Sequence, residues 1–191
     1  ILITLVMNLL YFPYMNLLPV FARDVLGRGP VGLGVLGAAS GAGSLLGLLI
    51  INRLRHQVSG GWILTVGTLG MSLCLLAFAL SQVYFFSWTM LFFAGIGQAC
   101  FGIMQSSIIL LAASDEMRSR AMGTLVLSIG SDPLGKLQTG YLAELYGAPL
   151  AVAVQAGMAV VALLVIAVTL PGLRQPLSER GQSMTPVEAD G

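Results

Sequence analysis

Charge is what this sequence has least of. Only 9% of its 191 residues are charged, where a soluble domain carries about 25%. A soluble domain of this size buries only about 70% of the surface its unfolded chain exposes. A hydrophobic content of 57% and a mean hydropathy of +0.91 therefore exclude a water-soluble fold and call for lipid as solvent. Nine basic residues stand against eight acidic ones with no run of like charge, so the electrostatic footprint of a nucleic-acid binder is missing. Histidine is nearly absent: His56, in a basic loop, is the single one. That leaves no His/Glu cluster or Ser/His pair for an intramembrane enzyme. The two cysteines, Cys74 and Cys100, sit inside apolar stretches without ligand neighbours. They read as small buried hydrophobes rather than as a disulfide, a zinc site or a nucleophile. No residue pattern requires a cofactor or a metal. There is no starting Met either; Ile1 already lies in an apolar run without the basic region or cleavage site of a signal peptide. The expectation is that the chain begins in mid-protein.

What is there is apolar length. A transmembrane helix needs about 20 predominantly apolar residues, and six such runs occur, at about 1–22, 31–51, 62–80, 85–112, 121–142 and 150–170. Strands of a membrane barrel would be about 10 residues long and alternate polar with apolar, a pattern none of the runs sustains. The expected fold is all-α and integral to the membrane, a six-helix bundle over 1–170, followed by a polar tail over 171–191. Ser, Gln, Pro, Gly and charge predominate in that tail, which predicts disorder.

The breaks set topology. Arg53 and Arg55 follow the second run, Arg118 and Arg120 the fourth, and Arg174 and Arg180 lie in the tail, whereas the alternate breaks hold only Arg23 and Arg28. The positive-inside rule puts the richer side, and with it both ends of the chain, in the cytoplasm.

Small residues are the packing signal in lipid, where helices have no hydrophobic reason to associate. The second run carries two small-xxx-small pairs, Gly37/Gly41 and Gly43/Gly47, which read as close packing. Polar side chains are unevenly shared. The third and sixth runs have little beyond hydroxyls and Gln155, and so read as peripheral. The other four carry Asn8, Asn16, Asn52, Gln98, Gln105, Asp132, Lys136 and Gln138 and read as lining an interior. Asn8 shares a helix face with Tyr11 and Met15, Gln98 with Gln105, and Asp132 with Lys136. The amides suit interhelical hydrogen bonding or a substrate lining equally. Asp132 lies about eleven residues into its run, near the bilayer midplane, where an unpaired charge costs about 2.5–3.5 kcal/mol or more. Lys136 at i+4 can pair with it, and Pro133 favours a kink at that level by freeing the Ile129 carbonyl. Two readings stay open: a structural ion pair, or a titratable site that couples protons or binds a charged substrate.

The six-span layout, with four polar helices inside two plain ones, resembles one half of the major facilitator superfamily. More specific is Asp115-Glu116-Met117-Arg118-Ser119-Arg120-Ala121-Met122-Gly123. It is similar to the loop before the eleventh helix in the branch of the enterobactin exporter and bacterial drug effluxers. Pro133-Leu134-Gly135, Gly140, Ala143-Glu144-Leu145 with Gly147, and Pro19 through Leu26 extend the similarity. This chain departs from the branch at Ser119, where glycine is usual, at Asn52, where the superfamily's loop motif wants aspartate, and at Asp132 and Lys136, where small or apolar residues are expected.

The resemblance implies the carboxy-terminal half of the fold, six helices in 3+3 inverted repeats, with an amino-terminal six-helix half as partner in the bilayer. It further implies proton-driven efflux of a small molecule across a bacterial inner membrane by alternating access, without a cofactor. On this reading the substrate-cavity candidates are Asn8, Asn16, Gln98, Gln105, Asp132 and Lys136. A cytoplasmic gate would use Asp115, Glu116, Arg118, Arg120 and Gly123, although the two arginines serve equally as topological anchors. A transport-inactive scaffold or regulatory subunit is the competing class.

Overall fold

The computed structural model describes residues 2–54, 58–112, 122–123 and 126–169. All the secondary structure among them is helical. Five helices are long and apolar enough to cross a membrane: α1 (Leu2–Val25), α2 (Pro30–Leu54), α3 (Gly60–Ala79), α4 (Tyr84–Ala112) and α6 (Ala148–Thr169). Between α4 and α6 lies α5 (Asp132–Tyr146), 15 residues long. The gate candidates Asp115, Glu116, Arg118 and Arg120, the residues Arg55 and His56, and the tail lie outside the described residues. Gly123 is helical and exposed.

The run at 121–142 is not one continuous helix. Residues 126–129 are helical, Gly130 and Ser131 form a turn, and α5 starts at Asp132 with Pro133 in its first turn. Proline has no N–H to give the Ile129 carbonyl, yet its fixed φ suits the start of a helix, so the sequence breaks one helix and begins the next at the same point. At the far end Gly147, with φ of +83°, reverses the chain into α6 while its N–H caps the Ala143 carbonyl.

α1 is irregular in a different way. Two single turns, Met7–Tyr11 and Phe21–Val25, are π-helical, with Pro13 and Pro19 beside them. Each wide turn rotates the residues beyond it relative to a regular helix. Asn8 and Tyr11 are consequently buried while Met15 is 47% exposed, so the face expected to hold all three is split.

α4 is the hub of one side of the bundle, packing against α2 and α3, while α6 packs against α3, α5 and α1, and α1 also meets α2 and α5. Exchanging α1 with α4, α2 with α5 and α3 with α6 maps the α2–α4 contact onto α5–α1 and the α3–α4 contact onto α6–α1. This is the relation expected of inverted three-helix repeats. Close backbone approach holds α4 in place. A Cβ on Gly43 would collide with the Phe92 carbonyl, one on Gly47 would stand 2.7 Å from the Ile96 oxygen, and one on Gly95 would collide with the Ser40 carbonyl. Of the two glycine pairs in α2, only Gly43/Gly47 packs; Gly37 and Gly41 face open space.

The polar-poor helices α3 and α6 touch each other. Each buries one face and exposes an apolar one, with Trp62, Val66 and Leu73 outward on α3 and Val154, Val161 and Val168 on α6. The α3 hydroxyls of Thr65, Thr68 and Ser72 bond carbonyls four residues back in their own helix, which satisfies them without a neighbour.

Candidate functional site

Where α1, α2 and α4 converge, the sequence places its hydroxyls and an amide on facing surfaces. Tyr14 comes from α1, Ser40 and Ser44 from adjacent turns of α2, and Gln98 from α4. They border a cleft of about 280 Å³ closed otherwise by Met15, Leu18, Leu36, Gly37, Gly41 and Leu91. The Ser44 hydroxyl lies 3.0 Å from the Ser40 carbonyl and 3.0 Å from the Gly95 carbonyl across the interface. Its single hydrogen can serve either acceptor, and on Gly95 it ties α2 to α4 at the level where that glycine lets them touch. The Ser40 hydroxyl donates to the Gln98 Oε1 at 3.4 Å. That uses the acceptor end of the amide and leaves its N–H groups as the donors the cleft presents. Gly37 and Gly41, with no atom near their Cα hydrogens, keep one wall of the cleft free of side chains.

One end of this region is pinned. The Tyr84 hydroxyl donates to the Gly32 carbonyl at 2.9 Å, and the Arg28 guanidinium lies 5.1 Å from the centre of the Tyr84 ring, within cation–π range.

The other candidates fall elsewhere. Asn8 is buried and donates to the Thr4 carbonyl of its own helix at 2.9 Å. Asn16 is exposed on α1, and Gln105 is half-buried two turns beyond Gln98. Lys136, the only lysine of the chain, pairs with Asp132 at 2.6 Å one turn apart on α5, in the i,i+4 geometry read from the sequence. The pair remains partly open, with side chains 48% and 26% exposed. One residue before Lys136, α5 crosses α1: a Cβ on Gly135 would stand 2.8 Å from both the Asn8 oxygen and the Pro13 ring. The ion pair therefore lies alongside the middle of α1. Among the described residues no three His, Cys, Asp or Glu side chains come together.

A further polar contact joins α5 to α6. Thr139 and Gln155 are both 1% exposed and meet at 2.8 Å, while Thr139 also donates to the Gly135 carbonyl at 2.7 Å. One hydroxyl carries one hydrogen. With that hydrogen on Gly135, the amide orientation that completes the contact turns Nε2 toward the Thr139 oxygen, and this partners a nitrogen that is otherwise buried alone. Tyr14, Ser40, Ser44 and the Thr139–Gln155 pair were not singled out from the sequence. The i,i+4 spacing of Ser40 and Ser44 beside the glycines was the available signal.

The family model of transmembrane secretion effectors, a major facilitator type, matches residues 3–188. The chain belongs to that family. No curated protein and no solved structure matches it. Membership makes the chain a multi-pass membrane protein of a transporter family rather than of an enzyme family, and agrees with the helical half-bundle and its repeat symmetry.

Proposed function

We infer that the chain is the carboxy-terminal wall of a secondary transporter that exports a small amphipathic molecule from a bacterium by alternating access. The observation that carries this reading is the cleft of Tyr14, Ser40, Ser44 and Gln98, a cluster of hydrogen-bonding groups brought together by three largely apolar helices. Polar groups within a membrane are costly unless they face protein or water, and a cavity that binds and releases a partly polar solute supplies that need. The opposite wall is an amino-terminal six-helix half. Both ends of the chain lie in the cytoplasm, where Asp115, Glu116, Arg118, Arg120 and Gly123 form the closing contacts. Asn16 and Gln105 widen the polar surface beyond the cleft, and Asn8 supports the crossing of α1 over α5.

The proton gradient is the driving force, and Asp132 is the group through which it acts. The helix broken before Asp132, at the level of the α1 crossing, supports that assignment. The test is gradient-driven extrusion of an amphipathic fluorescent dye from vesicles containing the whole transporter. Gln98→Leu is expected to lower extrusion about fivefold with an unchanged amount of folded protein, as the loss of about one hydrogen bond implies. Full extrusion in Gln98→Leu overturns the cleft, and no extrusion by the unmodified protein favours a scaffold. Asp132→Asn separates the two roles of the ion pair: lost extrusion at normal folded yield supports coupling, whereas retained extrusion makes the pair structural.

A further inference from the structure

α4 has a second flank. Between it and α3 runs a groove of about 530 Å³, lined among others by Leu54, Trp62, Val66, Gly70, Phe93 and Cys100. Apart from one indole, two thiols and one thioether its lining side chains are hydrocarbon; no hydroxyl, amide or charged side chain borders it. Gly70 has no neighbour within 4 Å of where a Cβ would stand, so the groove stays open midway. From Trp62 to Cys74, α3 advances twelve residues, about 18 Å at a rise of 1.5 Å each. Half of a hydrocarbon core about 30 Å thick is close to that depth. The groove thus starts at one membrane surface and ends near the middle, the reach of a single leaflet.

The mouth of the groove is basic. Arg53 is exposed and immediately precedes Leu54, which lines the groove. An apolar channel one leaflet deep beside the exposed guanidinium of Arg53 matches a molecule with a hydrocarbon chain and an anionic head. We propose that this groove binds one acyl chain of an anionic phospholipid, with its phosphate held at Arg53. The acyl chain fills the space between α3 and α4 that Gly70 leaves, and Arg53 at the end of α2 anchors the head.

Trp62 lines the groove and is a built-in reporter, since the chain has only two tryptophans. The whole protein, with every tryptophan except Trp62 changed to phenylalanine, is reconstituted in phosphatidylcholine vesicles doped with phosphatidylglycerol, with bromine on the acyl chains of one lipid or the other. Trp62 fluorescence is expected to be quenched by brominated phosphatidylglycerol about fivefold more strongly than its mole fraction predicts, the preference expected of one well-placed arginine. Arg53→Gln is expected to return the quenching to the mole-fraction value in a normally folded protein. Gly70→Leu, which meets open space, is expected to remove the excess while Trp88, kept as the sole tryptophan in place of Trp62, is unchanged. Equal quenching by the two lipids overturns the proposal, as does an excess that survives Gly70→Leu. So does a Trp62 that neither lipid quenches, because a second copy or another part of the protein then covers the groove.

Discussion

The two flanks of α4 rest on the same device and lead to opposite surfaces. On one side Gly95 brings α4 against α2, and on the other Gly97 brings it against α3, where a Cβ would stand 2.5 Å from the Gly67 carbonyl and 2.7 Å from Met71. Above the first contact stand Ser40, Ser44 and Gln98; beside the second stand Val66, Phe93 and Cys100. Close backbone contact therefore does not distinguish a polar cleft from an apolar groove. What separates them is whether the side chains next to the glycines bring hydrogen-bonding groups.

Removing the device itself is the largest way to break the comparison. Gly95→Leu drives a side chain into the Ser40 carbonyl, which cannot move without its helix. It is expected to cost about 3 kcal/mol or more, seen as loss of monodisperse protein on size-exclusion chromatography and a thermal midpoint lowered by many degrees. Gly41→Leu, next to Ser40 in the sequence but facing open space, is expected to leave that midpoint nearly unchanged and to weaken dye transport by narrowing the cleft.

Next in size, Gln155→Leu leaves Thr139 bonded only within its own helix. Interhelical hydrogen bonds in membranes are worth about 0.6 kcal/mol on average and up to about 1.7. A midpoint drop of that order, without a change in dye affinity, is expected from thermal unfolding in detergent. A larger effect on affinity would extend the polar surface to α6.

The smallest effect is a difference in labelling. Cys74 and Cys100 both line the lipid-side groove, so a membrane-soluble maleimide is expected to modify them and a charged thiosulfonate to leave them untouched. In a protein with both cysteines changed to alanine, Gly41→Cys is expected to show the reverse preference. Mass spectrometry of the intact protein reads both, and charged-reagent labelling of Cys100 would erase the distinction between the flanks.

Apolar run length and loop charge made the helices legible in the sequence. The Asp132–Lys136 pair followed from i,i+4 geometry, and the missing N–H of Pro133 pointed to a kink where the structure has a full break, both local rules. Non-local facts were not legible. Gly37/Gly41 and Gly43/Gly47 have the same spacing, and only the position of α4 decides that the second pair packs. Gln155 looked incidental because its partner, Thr139, belongs to another helix. Met15 parted from the face of Asn8 and Tyr11 because π-helical turns in α1 alter the rotation that a period of 3.6 assumes. Gln98 and Gln105 share a helix face, but only the first meets a serine on α2.

A single turn of α4, fastened by Gly95 to one neighbour and by Gly97 to another, also has a mechanical meaning. It joins α2, α4 and α3 into a plate in which one member cannot slide without dragging both others. Compliance is left to α1, with its two wide turns, and to the interrupted segment before Asp132. If this half changes shape during a working cycle, the plate carries the load as a strut and the two irregular helices take up the strain.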